Sequence, residues 1–284
     1  MKQQTFVIVG LGLMGGSLAV DLRKNFPSAN IVGISRHEKK ILYAKKKKII
    51  NEGFVRIETA LKKAHVIFLC SPVGTLEDYI SKIDCFAEPG TVVTDVGSTK
   101  FKLVNWTDHQ RFKNIKFVGS HPLAGSHLRG VEHAIPSLYK NALVFVTPTH
   151  QTNQKALQVV VSIWEKLKAQ VKIISPADHD KIVSEISHLP HALAAVLVNL
   201  VSSRSIDCAA SGFLDTTRIA QGYPKLWVPI FESNRKNLIK DLKRYQNLLK
   251  KLICLLEKRS KNGLEKFLFY ASERRSQLKK RACL

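Results

Sequence analysis

His121 closes an apolar run within Ile115-Lys-Phe-Val-Gly119-Ser-His121-Pro-Leu-Ala-Gly125-Ser126. An imidazole placed there is of the type that takes and returns a proton near neutral pH. A second polar run, Asp95-Val-Gly97-Ser98-Thr-Lys100, ends the apolar segment that starts at Thr91. The Ser98 hydroxyl is suited to orient an imidazole, or else to cap the helix that follows, and His121 could equally serve as a capping or core histidine. Two further clusters lie later in the chain, Ser187-His188-Leu-Pro190-His191 and Gly212-Phe-Leu-Asp215-Thr-Thr217-Arg218. Arg218 has the geometry to hold a carboxylate through two hydrogen bonds, or to pair with Asp215 for structure alone. Histidines three apart on a helix could share a metal, but no third or fourth ligand stands at suitable spacing, so no metal is expected.

These side chains need a scaffold, and the start of the chain supplies its strongest sign. Phe6-Val-Ile-Val runs into Gly10-Leu11-Gly12-Leu13-Met14-Gly15. In the G-x-G-x-x-G spacing the first glycine makes a tight strand-to-helix turn, and the second lets backbone approach a pyrophosphate. The third lets the helix lie close on its strand, with its N-terminal N–H groups facing the phosphates. The placement after a strand and before a helix favours dinucleotide binding over a glycine-rich turn that binds nothing. The second strand, residues 30–35, ends in Ser35-Arg36-His37, where an NAD-binding unit would carry an acid for the ribose hydroxyls. A hydroxyl and a guanidinium suit a 2′-phosphate, which points to NADP rather than NAD, unless Arg36 only stacks on the adenine or faces solvent. Ligands of a doubly wound sheet lie beyond the carboxyl ends of its strands. Cys70, Ser71, Pro72 and Gly97 at such ends are therefore expected along the cofactor groove, together with residues 10–15.

Apolar runs at 64–70, 91–96, 115–119, 142–146 and 171–174, with helical segments between several of them, define an α/β, doubly wound, mostly parallel sheet of Rossmann type over residues 1–174. Beyond Ser175-Pro176 no strand pattern remains, and residues 175–284 read as a helical domain in which Pro190 should kink or break a long helix. Its apolar stretch Ala192-Leu-Ala-Ala-Val-Leu-Val198 suits a buried helix at a subunit interface. With 45 Lys and Arg against 22 Asp and Glu, the net charge is +23. The basic clusters at 45–48 and 274–281 are not interleaved with aromatics, so they read as solvated faces rather than a nucleic-acid platform. The five cysteines include no C-x-x-C pair, as expected of reduced thiols in the cytoplasm. No apolar run is of membrane-spanning length.

Taken in order, Gly10-x-Gly12-x-x-Gly15-Gly-Ser-Leu-Ala, Asp95-Val-Gly-Ser98-x-Lys100, Gly119-x-His121-Pro-x-Ala-Gly125, His188-Leu-Pro-His191 and Gly212-Phe-x-Asp215-x-x-Arg218 resemble the prephenate/arogenate dehydrogenases of tyrosine biosynthesis. The resemblance covers roughly residues 5–250. It implies NAD(P)-dependent oxidative decarboxylation of a cyclohexadienol. His121 would take the ring hydroxyl proton, Ser98 would orient His121, and Arg218 would hold a substrate carboxylate. Ser126, His188, His191 and Trp227 would line the substrate pocket, and the helical half would build a homodimer with Asp215 reaching the partner's cleft. Ser126-His127 departs from members with an acid at that point. Ser35-Arg36 resembles NADP-using members that prefer arogenate, whereas His191 resembles members that use prephenate. The competing readings are another NADP-dependent dehydrogenase of the β-hydroxyacid type, whose G-x-x-x-K lysine is missing here, and a basic nucleotide-sensing or nucleic-acid-binding protein.

Overall fold

The structure, a computed structural model, describes residues 4–61, 63–125 and 128–278. Strand β1 (Thr5–Val9) is buried along its whole length and turns through the glycines into helix α1 (Leu13–Asn25). There follow β2 (Asn30–Ile34), α2 (Glu38–Lys46), β3 (Glu52–Phe54), β4 (Val66–Leu69), α3 (Leu76–Phe86), β5 (Thr91–Asp95), α4 (Phe101–Asp108), β6 (Ile115–Pro122), β7 (Leu143–Thr147), α5 (Gln154–Lys166) and β8 (Gln170–Ile173). They form one eight-stranded sheet in the order β3-β2-β1-β4-β5-β6-β7-β8. Every pairing is parallel except β6 with β7.

The period-2 alternation of each strand divides its side chains between two cores. Phe6 and Ile8 pack with Phe68 of β4, Leu18 and Leu22 of α1 and Trp164 of α5. Val7 and Val9 pack on the other face with Ile67, and with Ile80 and Ile83 of α3. Apolar side chains on both faces are what a parallel sheet covered by helices requires. The segment after α2 carries the edge strand β3. Asn51 accounts for it: its N–H donates to the Ile31 carbonyl at 2.8 Å, and its Oδ1 accepts from the Ile31 N–H at 3.0 Å, which draws the segment onto β2.

The glycine turn is held from behind. Ser17 Oγ accepts from the Ile135 N–H at 2.9 Å, and Asp21 accepts from the Ser137 N–H at 2.6 Å. The Tyr139 hydroxyl donates to the Met14 carbonyl at 2.8 Å. Burial raises the pKa of Asp21, opposed by the Ser137 and Tyr139 backbone N–H groups.

After β8 come α6 (Pro176–Val183), a π-helical turn (Ser184–His188), α7 (Leu189–Leu200), α8 (Ser203–Ile206), α9 (Ser211–Thr217), a 3-10 turn (Arg218–Gln221), α10 (Pro224–Ser233), α11 (Arg235–Glu257) and α12 (Lys261–Ser276). Pro190 does not break the helix as expected. It falls in the first turn of α7, and the π turn directly before it absorbs the change of register. The stretch Pro176–Leu200 is long and apolar enough by composition to cross a membrane. It also carries five buried polar side chains, those of His179, Asp180, Ser184, His188 and His191, which suits a core helix beside a site. The chain divides into two compact bodies after Arg235. The second body carries α12 and nearly all of α11, with Leu248, Ile253, Leu268 and Phe269 among its exposed apolar side chains.

Candidate active site

His121 sits on the last turn-ward residues of β6, where β7 runs antiparallel beside it with Phe145 opposite. Its Nδ1 lies 2.8 Å from Nε2 of His179 on α6, and His179 Nδ1 lies 2.7 Å from Oδ1 of Asp180. All three side chains are buried. The carboxylate oxygen only accepts, so His179 Nδ1 carries a proton and, in the neutral ring, its Nε2 is a bare acceptor. His121 Nδ1 must then donate, which leaves the lone pair of His121 on Nε2. Burial, and then the nearby His179, Lys100 and His188, hold the His121 pKa well below the usual histidine value, so the ring is neutral at physiological pH. The His179 pKa is lowered as well, chiefly by burial and against the pull of Asp180.

Asp180 has a second task. Its Oδ1 accepts from the Lys100 N–H at 2.8 Å and its Oδ2 from the Phe101 N–H at 3.1 Å, so it caps α4 from 80 residues away. Ser98 does not cap that helix. Nor, among the described residues, does it hydrogen-bond His121; the orienting contact expected of Ser98 falls to His179. Lys100 is fully buried, and its ammonium pairs with Asp95. Asp95 also accepts from the Gly97 N–H at 2.8 Å and the Ser120 N–H at 3.2 Å, which ties the ends of β5 and β6 together.

The π turn and α7 bring His188 and His191 to the same region. Asn234 donates to the Asp180 carbonyl at 2.7 Å and lies 3.1 Å from His188 Nδ1. Burial depresses the His188 pKa to about 4, with Asp180 opposing. His191 stacks on Trp227 of α10 with centroids 3.5 Å apart and an interplanar angle of 9°, and its buried Nδ1 has no hydrogen-bond partner among the described residues. Asp215 on α9 and Arg218 in the following 3-10 turn are both exposed. No ion pair joins them among the described residues, so the purely structural pairing is not realised. Ser126 lies outside the described residues.

At the glycine turn, Gly10 adopts φ +105° and passes so close to Cys70 that a Cβ there would meet the Cys70 carbonyl oxygen at 2.6 Å. A Cβ on Gly15 would run into the Gly10 carbonyl, whereas Gly12 faces open space. Leu11 and Leu13 are buried beside the turn, and Met14 packs partly against the core. No acid occupies the first turn of α1, so its N-terminal dipole is free for an anion. Ser71, after β4, has a buried hydroxyl with no partner among the described residues. Pro72 is exposed beside it. Ser35 accepts from the His37 N–H at 3.2 Å, and Arg36 is exposed. Burial and Asp95 raise the Cys70 thiol pKa, so it stays protonated and is no nucleophile. These residues fit a dinucleotide: an open second glycine, a free helix terminus and an orphaned hydroxyl at neighbouring strand ends. The described residues include no cluster of His, Cys, Asp and Glu able to hold a metal.

A sheet of this order, with its glycine turn at the switch point between β1 and β4 and a neutral imidazole at the end of β6, defines a nicotinamide-nucleotide-dependent dehydrogenase. The model of the prephenate dehydrogenase nucleotide-binding domain matches residues 18–173, and that of the prephenate dehydrogenase dimerization domain matches 175–269. The prephenate dehydrogenase of Bacillus subtilis is 31% identical over 97% of this chain and 76% of its own length. The prephenate dehydrogenase of Aquifex aeolicus, determined with hydroxyphenyl propionate and NAD+, superposes with a TM-score of 0.90 at 32% identity, covering 98% of this chain and 99% of that one. Synechocystis arogenate dehydrogenase gives 0.82 at 31% identity, over 96% and 99%. The chain belongs to the prephenate dehydrogenase family. It is an oxidoreductase that uses a nicotinamide cofactor, acts on a small molecule and carries a dimerisation domain.

His179 and Asp180 were not singled out in the sequence. Their only signal there was adjacency in a helix that starts after Ser175-Pro176, and nothing local links them to a strand 58 residues earlier.

Proposed function

We propose that this protein oxidatively decarboxylates prephenate or arogenate, with His121 as the general base and NADP preferred over NAD. The observation that carries the reading is the buried chain His121–His179–Asp180, which leaves a neutral imidazole with its Nε2 lone pair free. Nε2 takes the proton of the ring 4-hydroxyl. The positive charge that develops is passed as hydrogen-bond polarisation through His179 to the Asp180 carboxylate, so a buried imidazolium is not left unpaired. A bound nicotinamide would supply the acceptor for the hydride that leaves the same ring carbon. The ring carboxylate departs as CO2, its bonding pair completes the aromatic ring, and the proton held by His121 can return to the phenolic oxygen.

Arg218 would hold a substrate carboxylate. His188, His191 and Trp227, with Ser126, would form the wall around the ring, and Ser98 would contact the hydroxyl end. Residues 10–15, Cys70, Ser71, Pro72 and Gly97 would take the dinucleotide, with Ser35 and Arg36 on the 2′-phosphate. Residues 1–174 would form the cofactor domain and 175–284 the substrate and dimerisation domain of a cytoplasmic homodimer, with Asp215 at the partner's cleft. The test mixes purified protein with prephenate or arogenate and NAD or NADP, and follows reduced nicotinamide by absorbance in all four pairings. Turnover fastest with NADP is expected; absence of turnover in all four removes the reading.

A further inference from the structure

Beyond His121, the described residues on either side of 126–127 reach two parts of the site. A Cβ on Gly125 would lie 3.8 Å from Met14 Sδ of the glycine turn. Four residues on, the Arg129 guanidinium lies over the Tyr223 ring at 3.3 Å from its centroid. Tyr223 follows Gly222, whose α-carbon is wedged against the stacked pair of His191 and Trp227: a Cβ there would meet Trp227 Nε1 and be 2.6 Å from His191 Cε1. Arg129 is therefore held, through Tyr223, next to the His191–Trp227 wall. It is exposed, and among the described residues no carboxylate pairs with it.

A guanidinium lying face-down on an aromatic ring keeps its in-plane N–H groups directed outward, in the fork that matches a carboxylate. The stacking also fixes the plane before a ligand arrives, which lowers the entropy cost of a bidentate bond. The candidate substrates each carry two carboxylates. One, on the ring, leaves as CO2. The other ends a three-carbon side chain that reaches farther from the 4-hydroxyl, hence farther from His121 and toward the mouth.

We propose that Arg129, held flat on Tyr223, is the specificity-determining residue that binds the side-chain carboxylate of the substrate and retains it in the product. This rests on the cyclohexadienol reading above.

The test uses 4-hydroxyphenylpropionate and its neutral amide, 4-hydroxyphenylpropionamide, titrated calorimetrically against the full chain with NADP present. Wild type should bind the acid more tightly than the amide. Arg129→Gln should weaken the acid about tenfold, the size of one charge-assisted bond, and leave the amide unchanged. Tyr223→Leu, which removes the platform, should weaken the acid in the same direction, and Tyr223→Phe, which keeps the ring face, should retain it. Equal weakening of acid and amide in Arg129→Gln, or no weakening of either, overturns the proposal while leaving turnover by wild type as the separate measure of the parent reading. A wild type that binds neither probe and turns over neither substrate overturns both.

Discussion

The rings of His121 and His179 meet edge to face with centroids 5.0 Å apart and Nδ1 to Nε2 at 2.8 Å, both buried, so one histidine sets the tautomer of the other. His179 is in turn set by Asp180, which also caps α4. The same carboxylate thus aligns the α4 end of the site and directs the free lone pair of His121 to Nε2.

Replacing His121 by Asn removes that lone pair. Turnover should fall by roughly 10²–10⁴-fold, the usual worth of a positioned base, while the Kd of NADP stays within about twofold because the glycine turn is untouched. Single-turnover kinetics and cofactor titration check the two halves, and an unaltered rate removes His121 as the base. Since burial and its neighbours hold the His121 pKa well below 6.5, the acid limb of the wild-type rate should also lie below that pH: falling pH protonates the base, and does so late.

Asp180→Asn and His179→Gln should each lower kcat more than they raise KM, because ring orientation and tautomer, not substrate contacts, are altered. Asp180→Asn can turn an N–H toward His179 Nδ1, after which His179 Nε2 becomes the donor and His121 Nδ1 the acceptor. The kcat–pH profile should change shape in both variants. A merely structural role would instead lower the melting temperature and the active fraction with the profile intact.

Arg36 has no partner of its own among the described residues and stands where β2 ends. Arg36→Ala should cut kcat/KM for NADP by about 10–100-fold, the range for one lost charge-assisted bond, and leave NAD nearly unaffected. Ser35→Asp should go further and favour NAD, since a carboxylate repels the 2′-phosphate and suits the ribose hydroxyls. Equal losses with both cofactors would show that Arg36 only stacks or faces solvent.

The buried histidines should make folding acid-sensitive. The His188 pKa is depressed from 6.5 to about 4, so between these values the unfolded chain binds a proton that the folded chain does not. Stability then falls as pH drops through that window, by up to about 3 kcal/mol from this one group, at ~1.4 kcal/mol per pH unit. Melting temperature measured from pH 7 to 4 should decline, and His188→Gln should flatten the decline. An unchanged slope in the variant would show that the other carboxylates and histidines dominate.

Much of this was legible along the chain because its signals are local. A glycine spacing after a β-branched run demands one turn geometry, and apolar runs separated by helical periods demand a covered parallel sheet. His121, at the end of such a run, falls beyond the carboxyl edge where ligands collect. The edge strand at Glu52–Phe54 and the continuous helix through Pro190 were not legible, since they depend on Asn51 bonding to β2 and on a π turn that shifts register.

Sequence alone determined the sheet, the glycine turn and the imidazole at the end of β6, for each follows from residue types within a few positions of one another. Only the tertiary structure decided which group orients that imidazole. Ser98 follows the neighbouring strand end in the sequence, but a hydrogen bond is settled by atoms within about 3 Å, and folding brought the buried His179, itself bonded to Asp180, to that distance of His121.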